Sequence, residues 1–321
     1  MKKVVSLNSK ILLLLFLFIS AISSAQYYNV DEKVRKYPTS FSSARLLAER
    51  ISGDFTAENE RARAAFTWIA LNIKYDVSEY DPNNNIAYSY TTPEEGIRKE
   101  KIFRQNLITK TLKSGQAICE GYASLFTDLC TIMGMDAEII AGTSRNNESQ
   151  IGKLPQEGDH AWNAVKVDGK WQLLDVTWAA GIVDSEKGFV KIFNDAYFFA
   201  APENFFLNHF PDNYKWLLID KTAKEFANQP FYYPSYIKSN YRLNFNTGIL
   251  KVSRDNPLAF NIQNLKSTDR VYYITSRDNV LDKLRVDENN NFLIYPSSKL
   301  NGYLTIFINE KPIVSYRIVR G

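Results

Sequence analysis

Cys119 is the residue of this chain whose type and position point most directly to chemistry. It lies in the segment SGQAICEGYASLF, residues 114–126, where a Ser-Gly turn precedes the start of a helical pattern. A thiol is a nucleophile only as the thiolate, and the unpaired N–H groups at a helix start favour that anion. The same N–H groups could stabilise an oxyanion. A cysteine on the apolar face of a helix is also a common small core residue, and position alone does not separate the two roles.

The chain contains two histidines that could serve as a base for this thiol, His160 and His209. His160 opens the segment HAWNAVKVDGKWQLLDVTW, in which Asp168-Gly169 joins two alternating runs. An Asp-Gly pair between such runs predicts a β-hairpin. His209, in NHFPDNYKW, lies outside this hairpin and is interpreted as structural.

The length of the hairpin turn decides whether His160 has an acidic partner. A two-residue turn pairs Val167 with Lys170, and His160 and Asp175 then share a face as diagonal neighbours, about 7–8 Å apart at the backbone. Asp175 could orient His160, and His160 could activate Cys119. A slip of one residue would place the pair on opposite faces, where both would be solvated strand residues.

Three motifs in this order resemble the transglutaminase-like superfamily, whose fold is related to papain-type cysteine peptidases. They are GQAICEGYASLF, DHAWNAVKV and LLDVTW, and the resemblance covers roughly residues 40–220. The segment YFFAAPENFFLNHFPDNYKWLL further resembles the bacterial branch related to kyphoscoliosis peptidase. The resemblance implies that Cys119 is the nucleophile, His160 the base and Asp175 the acid that orients the base.

The fold class expected for the chain is α+β, with a transglutaminase-like, papain-like core and a C-terminal β-sandwich. Apolar residues at helical spacing predict helices over residues 62–73 and from Cys119 to Met133, while the polar residues 76–113 are predicted to be loop. AEIIAGT predicts a strand. The catalytic domain is assigned to residues 26–230. QPFYYPSYIK is interpreted as a linker, and short strands separated by turns predict an immunoglobulin-like sandwich over 235–321.

Residues 1–25 combine two early lysines, an apolar run and small residues, the pattern of a cleaved secretory signal peptide. Its removal lowers the formal charge from +4 to +1, so no basic surface indicates a nucleic-acid partner. Cys119 and Cys130, eleven residues apart, would lie about 16 Å apart on one helix, too far for a disulfide. We therefore expect an exported protein with two free thiols and no membrane span after cleavage.

The function favoured by these observations is an exported cysteine enzyme that attacks an amide bond of a protein or peptide substrate. Hydrolysis is favoured over transfer to an amine because water needs no acceptor groove. The alternative is a catalytically idle binding or scaffold protein at the cell envelope. No zinc-ligand spacing, phosphate-binding glycine loop or dinucleotide fingerprint is present, so neither a metal nor a cofactor is expected. The sequence does not indicate a partner for the C-terminal domain.

Overall fold

A computed structural model describes residues 27–79, 90–156, 158–184, 186–253, 256–278, 280–297 and 300–320. The signal peptide predicted for residues 1–25 lies outside these residues. The described α-helices are, in chain order, α1 Tyr28–Val34, α2 Ala44–Asp54, α3 Glu58–Asn72, α4 Pro93–Ser114, α5 Cys119–Ile132, α6 Val176–Ala180, α7 Pro202–Phe205, α8 Ala223–Asn228 and α9 Pro234–Ile237. None of them combines the length and the apolar content needed to cross a lipid bilayer.

The described strands belong to several sheets rather than to one. They are β1 Lys74–Tyr75, β2 Gln116–Ala117, β3 Ala137–Ser144, β4 His160–Val167, β5 Lys170–Leu174, β6 Gly181–Asp184, β7 Gly188–Lys191, β8 His209–Pro211, β9 Phe231–Tyr232, β10 Arg242–Leu243, β11 Ile249–Val252, β12 Leu258–Gln263, β13 Val271–Thr275, β14 Asp282–Lys283, β15 Asn291–Ile294, β16 Gly302–Ile308 and β17 Lys311–Arg320.

Helices α2, α3 and α5 contribute to one apolar core in the N-terminal part of the chain. The helix predicted over residues 62–73 is confirmed as α3, whose residues 62–70 are all buried. The buried Tyr122 hydroxyl of α5 donates a hydrogen bond to the Ile73 carbonyl at 2.8 Å. This bond joins the start of α5 to the end of α3, so the helix that begins at Cys119 is fixed against the core.

The loop predicted over residues 76–113 is wrong for its second half, which forms the 22-residue helix α4. Thr92-Pro93 marks the helix start, because the Thr92 hydroxyl accepts the Glu95 N–H at 3.2 Å. Pro93 occupies the first turn, where its missing N–H costs nothing. Only three residues of this helix are buried, as its polar sequence requires. Gly115, at φ 67°, ends α4 and turns the chain toward Cys119.

A four-stranded sheet in the order β5-β4-β3-β8 packs against α5. Val167 pairs with Lys170, so the predicted hairpin register is confirmed. The second strand is shorter than predicted, since β5 ends at Leu174. Asp175 instead caps α6 by accepting the Trp178 N–H on Oδ1 at 3.0 Å. The carboxylate satisfies a helix N–H that would otherwise lack a partner, and the chain leaves the sheet at this residue.

The C-terminal part consists of two sheets whose buried side chains form one apolar core. One sheet has the order β10-β12-β15, and the other has the order β11-β17-β16-β13-β14, with β9 also paired to β17. The predicted fold class, a mixed helix and sheet core followed by a sheet-rich region, is confirmed. The expected linker is structured, because β9 pairs with β17 and α9 packs on the same strand. The domain boundaries at 230 and 235 stay predictions.

Candidate active site

Cys119 is the first residue of α5, the position that the sequence predicts. The N-cap residue Ile118 makes no side-chain capping bond, so no cap side chain occupies the first N–H groups of the helix. The thiol packs with Ala123 of its own helix and with Ala161 of β4. Cys119 is 8% exposed, so it lies at the edge of the interior. Ala161, which it packs against, directly follows His160 on β4.

His160 and Asp175 are in direct contact. The Nε2 atom of His160 lies 2.7 Å from Oδ2 of Asp175, and Asp175 is completely buried. Burial alone would raise the pKa of Asp175, but the charges and hydrogen bonds of His160 and His209 outweigh it and hold that pKa well below the ordinary value. The acid is therefore an ionised carboxylate inside the protein, and it needs donors around it.

The environment of His160 stabilises the imidazolium. Burial lowers the pKa of His160. The Asp175 charge, the Asp175 hydrogen bond and the Cys119 side chain raise this pKa by more than burial lowers it. The net result is a pKa of about 10. At neutral pH the ring therefore carries both protons. Since Nε2 faces Asp175, Nδ1 is the nitrogen left to meet the thiol.

His209, interpreted from the sequence as structural, also contacts Asp175. Its Nε2 atom lies 2.9 Å from the same oxygen, Oδ2, that His160 contacts. Burial lowers the pKa of His209, the Asp175 hydrogen bond and charge oppose this effect, and the His160 charge adds to it. Two sequence signals point to His209: the chain has no other histidine besides His160, and His209 lies within YFFAAPENFFLNHFPDNYKWLL, a segment that carries part of the family resemblance.

The order of the strands brings the two histidines together. His160 on β4 pairs with Gly142 of β3, and His209 on β8 pairs with Ser144 of the same strand. Because Gly142 and Ser144 are two residues apart, their partners lie on one face of the sheet. A Cβ atom on Gly142 would overlap the Phe210 carbonyl oxygen, so the absence of a side chain lets β8 approach β3 closely.

Asn163 connects the element that carries the thiol to the element that carries the histidine. Its side-chain amide, on β4, donates to the Ala123 carbonyl at 3.1 Å and to the Thr127 hydroxyl at 2.9 Å, both on α5. The side chain is buried, so these bonds are shielded from water. They hold α5 and β4 at a fixed separation, which in turn fixes the approach of Cys119 to His160.

His160, Asp175 and His209 each offer one possible metal-ligand atom, and these atoms lie within 4.8 Å of one another. Two donors bound to zinc at about 2.0–2.1 Å in tetrahedral geometry would lie about 3.3 Å apart. The nitrogen–oxygen distances here are 2.7 and 2.9 Å, which are hydrogen-bond lengths. The cluster is therefore interpreted as two histidines that donate to one carboxylate oxygen.

Known proteins resemble the part of the chain that contains this site. Residues 45–176, which include Cys119, His160 and Asp175, match the sequence profile of the transglutaminase-like superfamily. The chain is 33% identical to kyphoscoliosis peptidase of Mus musculus over 195 residues, covering 60% of this chain and 26% of that protein. It is 31% identical to kyphoscoliosis peptidase of Homo sapiens over 226 residues, covering 68% and 30%. The chain thus spans less than a third of the length of these relatives.

Among solved structures, the periplasmic domain of TgpA from Pseudomonas aeruginosa is similar to this chain. The identity is 14%, the TM-score is 0.29, and the similarity covers 47% of each chain.

Proposed function

From the transglutaminase-like domain that this chain carries at residues 45–176, we propose that the protein is an exported cysteine enzyme that transfers acyl groups from amide bonds. Cys119 is the nucleophile, His160 the general base and acid, and Asp175 the residue that orients His160. The observation that carries this proposal is the 2.7 Å contact between His160 and Asp175, next to a thiol at a helix start.

The first half of the reaction forms a thioester. With the thiol proton of Cys119 on Nδ1 of His160, the sulfur attacks the carbonyl carbon of the amide. The oxyanion that develops is stabilised by N–H groups at the start of α5. His160 then gives its Nδ1 proton to the leaving amine, the carbon–nitrogen bond breaks, and the acyl group stays on the sulfur of Cys119.

The second half releases the acyl group. The neutral His160 removes a proton from water, and the hydroxide attacks the thioester carbonyl. The carbon–sulfur bond breaks, the thiolate of Cys119 and the imidazolium of His160 are restored, and a carboxylic acid leaves. An amine in place of water would give a new amide. We favour water because it needs no acceptor groove, and because the similar mouse and human proteins are named peptidases.

The proposed substrate is a protein or peptide outside the cytoplasm. Export is supported by the basic, apolar and small-residue pattern of residues 1–25.

Cys119→Ala tests the proposal, with Cys130→Ala on the same helix as the matched control. Each protein is incubated with a defined peptide mixture and a fluorescent primary amine, and new carboxyl ends and amine adducts are measured by mass spectrometry. We expect wild type and Cys130→Ala to cleave peptides and Cys119→Ala to be inactive. Equal cleavage by Cys119→Ala would contradict the proposal. No cleavage by any protein, with a thiol no more reactive toward iodoacetamide than free cysteine, would support the idle binding protein.

A further inference from the structure

His209 is the one group of the cluster that the proposed reaction does not use. It lies on the short strand β8 and is 1% exposed. Its Nε2 atom is 2.9 Å from Oδ2 of Asp175, while Nε2 of His160 is 2.7 Å from the same oxygen. One carboxylate oxygen therefore has two imidazole partners, and only one of them stands beside the thiol.

The charge state of His209 follows from its surroundings. Burial and the nearby charge of His160 both lower its pKa, against the opposing effects of Asp175 and, to a smaller extent, of the Phe205 backbone. The two imidazole rings are 5.6 Å apart, so two imidazolium ions would repel each other in a buried site. His209 is therefore neutral while His160 is charged. Because a carboxylate oxygen only accepts hydrogen bonds, the single proton of neutral His209 must be on Nε2.

Aromatic rings enclose His209 and keep it from a substrate. Phe205 stacks on it at 4.2 Å between ring centres, Trp178 lies at 4.7 Å and Trp162 at 5.1 Å. A residue in this position cannot touch the reacting atoms. Any effect that His209 has on the chemistry must pass through Asp175.

We infer that His209 is a positioning residue that keeps Asp175 oriented and ionised through the catalytic cycle, an inference that rests on the proposed function. Oδ1 of Asp175 accepts the Trp178 N–H at 3.0 Å, and Oδ2 accepts from both histidines. With both oxygens held, the carboxylate cannot rotate away from His160. When His160 gives its Nδ1 proton to the leaving amine, Asp175 loses the charge opposite it but keeps the fixed donors of His209 and Trp178.

A purely structural role would not require this residue type. An apolar ring would fill the same aromatic enclosure without the cost of burying a polar group. The imidazole differs from such a ring by the N–H that it gives to Asp175. Two substitutions separate these properties: His209→Phe keeps a ring and removes the donor, whereas His209→Gln keeps an N–H donor at a similar reach from the backbone.

The first experiment measures the rate of iodoacetamide alkylation of Cys119 against pH, in a Cys130→Ala background. His209→Phe should shift the midpoint to higher pH by about one unit, seen as an approximately tenfold slower reaction below the midpoint, the order expected for losing one hydrogen bond to a charged group. His209→Gln should restore most of the rate. An unchanged midpoint in a folded His209→Phe protein, or a shift to lower pH, would overturn the inference.

The second experiment does not use His209→Phe and therefore holds even if that protein does not fold. Because the chain has two histidines, imidazole ¹⁵N spectra of the wild-type protein contain only two rings. Between pH 6 and 9 we expect one ring protonated on both nitrogens and the other, assigned by its absence in His209→Gln, protonated only on Nε2. A His209 that titrates near pH 6.5, or that carries its proton on Nδ1, would overturn the inference.

These outcomes are distinct from a failure of the proposed function. If Cys119 is alkylated with the midpoint of an ordinary thiol in the wild-type protein, and His160→Ala does not change that midpoint, the proposed enzyme itself is wrong. If His160→Ala shifts the midpoint of Cys119 alkylation but His209→Phe does not, the proposed enzyme stands and only the role of His209 is wrong.

Discussion

The two ends of helix α5 carry the same reactive group in opposite surroundings. Cys119 is its first residue and Cys130 lies in its last turn. Both thiols are free, and both lie on one continuous α-helix. Cys119 packs with Ala161, the residue after His160, and its side chain helps to raise the pKa of His160. Cys130 is completely buried within the apolar core of the N-terminal part.

The difference between the two ends lies in charge and access rather than in the thiol. Burial raises the pKa of Cys130, with only a small opposing effect from Arg61. The end of a helix also carries a partial negative charge, which disfavours a thiolate, whereas the start carries a partial positive charge. A cysteine in this fold is therefore expected to be reactive because of its neighbours, and the same residue eleven positions later serves as a small core side chain.

The largest expected effect comes from removing the charge that supports the Cys119 end. Asp175→Asn should lower kcat for peptide cleavage by about 10³–10⁴-fold, the scale seen when a triad carboxylate is replaced by an amide. The amide cannot stabilise a protonated His160. Cys130→Ala should remain within a few-fold of wild type. Cleavage rates with the peptide mixture test this prediction. A fall in kcat of less than tenfold in a folded Asp175→Asn protein would contradict the expectation that Asp175 supports the reactivity of Cys119.

The next effect compares the two thiols directly. In single-cysteine proteins at pH 7, we expect Cys119 to react with iodoacetamide at least about 100-fold faster than Cys130, because Cys130 becomes accessible only when the core opens. The Cys130→Ala protein reports Cys119, and the Cys119→Ala protein reports Cys130. In concentrated urea the two rates should converge. Rapid labelling of native Cys130 would show that the surroundings of this helix do not separate its two ends.

The smallest effect is on stability. The folded pKa of His160, about 10, lies above its unfolded value of about 6.5. Its contribution is therefore complete below about pH 6.5 and is lost as the pH rises toward 10. Between pH 6.5 and 9.5, wild type should lose at least about 1 kcal/mol more unfolding free energy than His160→Gln.

Urea unfolding at several pH values measures this difference. Ionisation of Cys130 in the unfolded chain also lowers stability as the pH rises, but it does so equally in both proteins and cancels in the comparison. Parallel curves for wild type and His160→Gln would contradict a charged His160 in the folded protein.

Several features of the candidate site could be predicted from local sequence. The Ser-Gly turn and the apolar spacing place Cys119 at a helix start, and the Asp168-Gly169 pair sets the hairpin register. These predictions hold because each depends on residues that are close in the chain. The contact between His160 and Asp175 follows from that register, although Asp175 reaches it from a helix cap and not from a strand.

Other features were not predictable from sequence in this way. The polar sequence of α4 is that of a loop or of an exposed helix, and only its capping by Thr92 and its packing distinguish the two. The expected linker forms β9 because β17 offers it an edge for pairing. Each outcome depends on a surface that another part of the chain provides.

The sequence by itself determined where the thiol stands on its helix and how the hairpin that follows is paired, because turns and helix starts are governed by neighbouring residues. Only the tertiary structure decided that His209 contacts Asp175 and that Cys130 is completely buried in the core. His209 reaches Asp175, 34 residues away, because β8 pairs with β3 and the narrow Gly142 lets the strands approach. Contacts of this kind depend on how distant elements pack, and no local pattern of residues specifies them.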